Sequence, residues 1–103
     1  MTRKLSFLPE SRSDFDEASA YYEIRSPSRG SLRFRQAFQE TLQRIKSGLI
    51  THQKVFDHFH RVFVPRFPYV VYYRLAGEEA VIVADLYARF HPEKTERLLK
   101  HRT

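Results

Sequence analysis

The hydrophobic pattern of this chain changes its period once, near Ile50. Before that position apolar residues recur every three or four residues, as Phe34, Phe38, Leu42 and Ile45 do. This spacing is typical of the buried face of an amphipathic helix. After Ile50 the period is two, which is typical of strands whose side chains alternate between the faces of a sheet. The chain is therefore predicted to place helices before a sheet.

Two helices are predicted in the first half. Ser13 is a good N-cap for the first helix, because its side chain can accept a hydrogen bond from a free backbone N–H. Acidic residues follow in the first turn, where the helix dipole favours negative charge. The segment 25–30, RSPSRG, contains Pro and Gly and predicts a loop. The second helix is predicted over residues 31–47, with Gly48 as its C-terminal cap. A connection this short predicts an antiparallel helix pair.

Strands are predicted on both sides of the helix pair. A short first strand ends at Pro9, and a hairpin loop with Gly77 joins the last two strands. Pro92 suits the first position of a short final helix. The predicted strands cover residues 4–8, 54–65, 67–75 and 80–87, and the final helix covers residues 92–100.

The strand that follows Pro68 is predicted to lie inside the sheet. Proline cannot donate a hydrogen bond to a neighbouring strand, so Pro68 is expected at the strand's start. Val71 and Tyr73 are predicted to share one face of this strand, and Val70 and Tyr72 the other. Because both faces carry apolar residues, the strand is predicted to be central.

These elements predict a single domain of the α+β class over residues 1–103. An antiparallel sheet needs cover on one face, and the helix pair is the available cover. The expected fold has an N-terminal strand, an antiparallel helix hairpin packed on one face of an antiparallel β-sheet, and a short C-terminal helix. The second face of the sheet is expected to stay open.

The composition points to an acidic or polyanionic partner. The formal net charge is +6, from 18 basic and 12 acidic residues, which favours nucleic acid or an acidic protein segment. The chain has no cysteine, which excludes disulfides and thiolate metal sites. The sequence shows no secretory signal and no apolar run long enough to span a bilayer. We therefore expect a cytoplasmic protein that does not associate with a membrane.

Three segments carry a resemblance to a known family. They are DEASAYY at residues 16–22, RFPYVVYY at 66–73 and DLYARFHPEK at 85–94. With these segments the chain resembles the RelE/ParE toxin superfamily, in particular its plasmid-stabilisation branch, over residues 4–95. The middle segment is fairly specific, and the other two are weak alone.

The resemblance implies the growth-inhibiting toxin of a type II toxin–antitoxin system, neutralised by a cognate antitoxin that wraps it. RelE-like toxins cut messenger RNA on the ribosome, whereas ParE-like toxins block DNA gyrase and need no nuclease residues. No cofactor is expected in either case. The chain could act as a homodimer or as a hetero-oligomer with its antitoxin.

The nuclease positions of RelE-like chains are partly replaced. Cleavage of RNA needs a base, cations for the phosphate and an acid, and the matching region offers Arg66, Tyr87 and Arg89. Tyr87 stands where the branch usually has His, and Phe90 where it often has a second Arg. Tyr69 stands where some RelE-like nucleases carry an arginine. These replacements favour a ParE-like toxin; the alternatives are an mRNA endoribonuclease and a non-toxic binding module.

The segment FDHFHR adds two histidines to the candidates. On a strand, His58 and His60 would point to the same face. They could act as acid and base, contact phosphates, or bind a metal with His91 or Asp57 as third ligand, although no spacing demonstrates such a metal site and none is predicted. Plain surface histidines are the commonest outcome. The candidate catalytic residues of a nuclease are therefore His58, His60, Arg66, Tyr87 and Arg89.

Asp85 gives Arg89 a structural alternative. Asp85 lies in a strand of apolar residues and needs a hydrogen-bonding partner if it is buried. Arg89 could therefore pair with Asp85, or with the last helix, instead of contacting a phosphate.

Overall fold

The computed structural model describes residues 2–49 and 52–103, so Ile50, where the period changes, lies outside the described residues. Five strands and three helices follow one another in the described chain. In chain order they are β1 (Lys4–Phe7), α1 (Pro9–Arg25), α2 (Gly30–Ser47), β2 (Gln53–Val55), β3 (Phe59–Phe63), β4 (Tyr69–Ala76), β5 (Glu79–Tyr87) and α3 (Pro92–Arg102).

The sheet has the strand order β1-β5-β4-β3-β2. Strands β2 to β5 form antiparallel neighbours, as predicted, whereas β1 pairs with β5 in parallel. The parallel pair arises because the chain leaves β1 through the helix hairpin before it reaches the rest of the sheet. Strand β4 has a neighbour on each side, which confirms its central position.

The start of α1 differs from the prediction. The helix begins at Pro9, and Leu8 is its N-cap in an extended conformation. Proline suits the first helical position because its missing N–H would have no intrahelical partner there. Ser13, the predicted N-cap, lies inside the helix, and its hydroxyl donates to the Pro9 carbonyl at 3.4 Å. Ser11 is buried, and its hydroxyl donates to the Leu8 carbonyl at 2.7 Å.

The helix hairpin is tightly closed. Gly30 begins α2, and a β-carbon at this position would lie 1.8 Å from the Tyr22 carbonyl oxygen of α1. Only glycine allows this approach of the two backbones. At the other end Gly48 caps α2 in the left-handed conformation, with φ 68°, which confirms the prediction.

The predicted strand over residues 54–65 is a hairpin instead. Strands β2 and β3 pair antiparallel, with Val55 opposite Phe59, and residues 56–58 form the turn. The positive φ angles of Phe56 (49°) and Asp57 (76°) reverse the chain here. Aspartate tolerates this conformation, whereas phenylalanine rarely adopts it. Because Phe56 is not a typical turn residue and the alternation continues through it, no sign of the turn was visible in the sequence.

Apolar side chains cover both faces of the sheet. Val71 and Tyr73 pack with the helix hairpin, and Val70 and Tyr72 lie on the opposite face, as predicted. The opposite face is not entirely open, because Leu99 of α3 is fully buried against it. The prediction of an open second face was therefore wrong for the part that α3 covers.

A β-bulge in β5 decides which way its last residues point. Tyr72 is opposite Ala84 and Tyr73 is opposite Ile82, which leaves Val83 as the extra residue. The bulge changes the alternation, and Asp85 comes to lie opposite Val71 of the helix-side cluster. The Asp85 side chain is thereby placed under α1.

Candidate functional site

Tyrosines gather where β5 ends. Tyr87 lies opposite Tyr69 of β4, and the two ring centroids are 5.8 Å apart. The ring of Tyr22, from α1, lies 6.0 Å from that of Tyr69. Burial raises the pKa of Tyr22 to about 12 and also raises the pKa of Tyr69. These two hydroxyls therefore stay protonated at neutral pH and can donate hydrogen bonds, but they are poor bases.

Arg89 lies beside this group, in the exposed turn that follows β5. The turn is fixed by two backbone hydrogen bonds, from Ala88 to Pro68 and from Phe90 to Tyr87. Within residues 2–49 and 52–103, Arg89 has no ion pair, and the expected pair with Asp85 is not formed. The interpretation of Arg89 as a partner of Asp85 was therefore wrong, and its guanidinium faces solvent.

Arg66 lies in the loop between β3 and β4, with a positive φ of 69°. Its guanidinium is 3.5 Å from the Glu40 carboxylate of α2, and both side chains are exposed. An exposed pair of this kind is weak, so Arg66 can leave Glu40 for another partner.

The structure separates the two histidines of FDHFHR. His58 lies in the turn between β2 and β3 and is exposed, so the expectation that both histidines share a strand face was wrong. His60 lies in β3 opposite Tyr73, and its ring stacks on that tyrosine with centroids 5.2 Å apart. Tyr87 pairs with Tyr69, four positions away along β4. Strands rise about 3.3 Å per residue, so these four positions separate His60 from Tyr87 along the sheet by more than the length of one side chain.

A second histidine joins His60 in place of His58. His52 Nδ1 lies 2.7 Å from the Tyr73 hydroxyl, and its carbonyl oxygen lies 3.1 Å from His60 Nδ1. Burial lowers the pKa of His52, and the nearby charges of Arg3, His60 and Arg44 lower it further. His52 was missed because it lies outside every predicted element. Its spacing of eight residues from His60 acquires meaning only once the β2–β3 hairpin is known.

Asp85 is a buried carboxyl group without a partner. The residue is 2% exposed, and neither carboxyl oxygen accepts a hydrogen bond from the described residues. Burial, reinforced by the neighbouring Asp14 carboxylate, raises the pKa of Asp85 to about 8. At neutral pH the group is therefore mostly a neutral carboxylic acid.

The neighbouring carboxylate of Asp14, in contrast to the carboxyl of Asp85, accepts several hydrogen bonds. It accepts two bonds from the Arg102 guanidinium, at 2.6 and 3.0 Å, and a third from the Asp85 N–H at 3.0 Å. Arg102 also donates to the Val83 carbonyl at 3.0 Å. This contact joins α1, β5 and α3. Asp14 and Arg102 are 88 positions apart, and periodicity gave no signal for their pairing.

A surface cleft of about 510 Å³ opens over Asp85. We name it the Asp85 cleft. Its lining contains three tyrosines, three acidic residues, one arginine and four apolar residues: Tyr21, Tyr69, Tyr87, Asp14, Glu17, Asp85, Arg102, Ala18, Leu86, Phe90 and Leu98. Of the five residues named as nuclease candidates, only Tyr87 lines this cleft.

Within the described residues there is no group of three or more His, Asp or Glu side chains suited to a metal ion. Of the helices in these residues, none is long and apolar enough to cross a membrane. Among the described residues, the end of β5 brings tyrosines and Arg89 close together, but His58 and His60 do not join them.

Comparison with known proteins agrees with the fold. A search of curated protein sequences gives no match. One solved structure, described as the chromosomal ParDE TA system from P. aeruginosa, has a chain that superposes with a TM-score of 0.73 at 15% identity, covering 85% of this chain and 98% of that one. At this identity the likeness shows a shared fold.

The family assignment comes from the sequence. The model of the family described as the ParE toxin of type II toxin-antitoxin system, parDE, matches residues 5–89. This range covers β1 from its second residue, the helix hairpin and the remaining four strands. The chain therefore belongs to the ParE toxin family of type II toxin–antitoxin systems.

Proposed function

We propose that this ParE-family toxin arrests bacterial growth by blocking DNA gyrase in the cytoplasm, without cutting RNA. The observation that carries the proposal, beside the family, is the dispersal of the two nuclease histidines. His58 is in the turn between β2 and β3, and His60 contacts His52 and Tyr73, four positions along β4 from the partner of Tyr87. Blocking an enzyme needs a binding surface and no proton transfer, so this dispersal does not weaken the proposal of a gyrase inhibitor.

A cognate antitoxin is the second part of the proposal. The net charge of +6 favours an acidic partner segment. Two apolar side chains at the tip of the helix hairpin, Ile24 (81% exposed) and Leu32 (51% exposed), offer further surface to bury. We propose a hetero-oligomer in which the antitoxin covers the surface that gyrase would otherwise contact.

Two assays with purified components test the target. Supercoiling by gyrase is measured with rising toxin, and translation with ribosomes and messenger RNA is measured in parallel, with the transcript mapped for cuts. We expect inhibited supercoiling, which the antitoxin relieves, and intact RNA. RNA cut at positions set by the codons, with the cuts lost on Arg89→Ala or Tyr87→Phe, would contradict the proposal and favour an mRNA endoribonuclease.

Expression in a bacterium tests toxicity itself. Growth arrest that a co-expressed antitoxin relieves supports the toxin. Normal growth in the presence of abundant folded protein would favour a non-toxic binding module.

A further inference from the structure

The Asp85 carboxyl is costly to bury unless something binds it. A buried polar group without a hydrogen-bonding partner destabilises a fold, and Asp85 has two such oxygens. An apolar residue would fill the same place under α1 without this cost. The β-bulge at Val83 points Asp85 towards the helix side, where it lines the Asp85 cleft with both carboxyl oxygens buried. The geometry therefore places an acid without a hydrogen-bonding partner among the described residues beneath a surface opening, where a ligand reaches it only if the lining side chains move apart.

The surroundings of Asp85 suit a cation better than an anion. Two more carboxylates, Asp14 and Glu17 of α1, lie on the same cleft. Arg102, the one cation that the described residues contribute to the lining, already donates to Asp14 and to the Val83 carbonyl, so its guanidinium is occupied.

Aromatic walls add a second attraction for a cation. Tyr21 (49% exposed) and Tyr87 (40% exposed) stand at the rim, and Tyr69 lies deeper. The faces of tyrosine rings attract ammonium and guanidinium groups, and the rings also cover the methylene stem of a basic side chain.

We propose that the Asp85 cleft binds one ammonium or guanidinium group at the end of a lysine or arginine side chain of the antitoxin, with the Asp85 carboxylate as its counter-ion. The cleft and its ligand class follow from the geometry, and naming the antitoxin as the carrier rests on the proposed function. The basic side chain supplies the hydrogen bonds that the Asp85 oxygens lack in the free toxin.

Binding of the cation is coupled to loss of a proton. The free acid has a pKa of about 8, so below that pH the incoming cation must displace a proton from Asp85. Affinity should therefore rise up to about tenfold for each pH unit between about 6 and 8. The other titratable or charged groups that face the site are Asp14, Glu17 and Tyr21 from α1, Tyr69 from β4, Tyr87 from β5 and Arg102 from α3.

The direct test titrates N-acetyl-lysine methylamide and N-acetyl-arginine methylamide into the free toxin. The ¹³C signal of the Asp85 carboxyl and the tyrosine ring signals report binding by NMR. We expect saturable shifts, tighter binding at pH 7.5 than at pH 6, and a lowered Asp85 pKa in the complex. Asp85→Asn should weaken binding at least about tenfold, as expected when a charged partner is removed. A carboxyl signal that neither probe moves would overturn the proposal.

Two variants keep the test interpretable. Asp57→Asn removes the same charge from an exposed turn and should leave probe binding unchanged. Tyr21→Ala changes an exposed ring at the rim and should weaken binding even if Asp85→Asn folds poorly. Equal binding by wild type and Tyr21→Ala, together with equal effects of Asp57→Asn and Asp85→Asn, would also overturn the proposal.

The antitoxin experiment separates this inference from the proposed function. Affinity of the antitoxin is measured for wild type, Asp57→Asn and Asp85→Asn at pH 7.5. We expect a loss of about tenfold or more for Asp85→Asn alone, and competition between the antitoxin and the probes. If the toxin blocks gyrase and binds its antitoxin while Asp85→Asn changes nothing, this inference fails and the function stands. If the probes bind but gyrase is unaffected, the function fails and the cation site stands.

Discussion

Arg102, next to the last residue of the chain, holds Asp14 of the first helix through two hydrogen bonds of 2.6 and 3.0 Å. The two side chains are only 13% and 12% exposed. Loss of the guanidinium leaves a nearly buried carboxylate without its cation and frees the end of α3. We expect Arg102→Ala to lower the free energy of unfolding by about 3 kcal/mol, measured by urea denaturation.

A surface pair on the same helix provides the control for Arg102. Lys100 contacts Glu96 at 2.8 Å, but both side chains are about half exposed. Lys100→Ala should leave the urea midpoint almost unchanged, because solvent screens such pairs. If both variants lost a similar free energy of unfolding, the Arg102–Asp14 pair would stabilise the fold no more than an exposed ion pair does.

Asp85 should make the fold less stable as the pH rises. Its pKa is raised to about 8 in the folded chain, whereas an unfolded aspartate has a pKa of about 4. Between these values the folded state holds a proton that the unfolded state has lost, so the free energy of unfolding falls with pH. The slope should reach at most about 1.4 kcal/mol per pH unit.

Asp85→Asn isolates this contribution, because an amide does not titrate in this range. Urea denaturation of both proteins at pH 5 and pH 7.5 should show the wild type losing stability relative to the variant. A constant difference between the two proteins across this range would show that Asp85 ionises normally.

The Asp85 environment was only partly predictable from the sequence. Its position in an apolar strand was visible from the sequence, but alternation gave no sign of the extra residue at Val83 that sets the direction of its side chain. The Asp14–Arg102 pair joins the two ends of the chain, and local patterns carry no information on such contacts. By contrast, the two helices and the two faces of β4 follow from periodicity, and the short loop between the helices predicts their antiparallel pairing, because these signals are local in the sequence.

The hairpin of β2 and β3 shows how a correct period can still mislead. The alternation of FDHFHR continues through the turn, and neither Gly nor Asn marks it. Phe56 takes a φ of 49°, a conformation that sequence rules assign to other residues. Because the turn was missed, the prediction placed His58 on a sheet face, whereas it lies in an exposed turn. The same error concealed the contact of His52 with His60 and Tyr73.

His52 should make the fold sensitive to acid. Burial and the charges of Arg3, His60 and Arg44 lower its pKa below the ordinary value. As the pH falls through about 6.5, the unfolded chain takes up a proton before the folded chain does, so stability decreases. NMR titration of the His52 ring should therefore give a midpoint below that of an unfolded histidine.

Substitution of the histidines tests which of them is responsible. Relative to wild type, His52→Gln should shift the difference in the free energy of unfolding between pH 5.5 and pH 7.5 in favour of pH 5.5, and His58→Gln, in the exposed turn, is the control. Tyr73→Phe removes the hydroxyl that lies 2.7 Å from His52 and should cost about 1 kcal/mol at pH 7.5. An acid response that follows His58 would refute this assignment.

Substitution of two glycines by alanine distinguishes the effect of steric crowding from that of backbone strain. Alanine at position 30 would place its β-carbon 1.8 Å from the Tyr22 carbonyl oxygen, whereas alanine at position 77 would meet no atom of the residues that the structure describes within 4 Å. Gly77 instead has a φ of 62°, which costs an alanine about 1 kcal/mol. Gly30→Ala must push α1 and α2 apart, so we expect a loss of at least about 3 kcal/mol. Urea denaturation ranks the two variants, and circular dichroism shows whether the helices persist. If Gly30→Ala proves no more destabilising than Gly77→Ala, the hairpin backbones do not approach as closely as described.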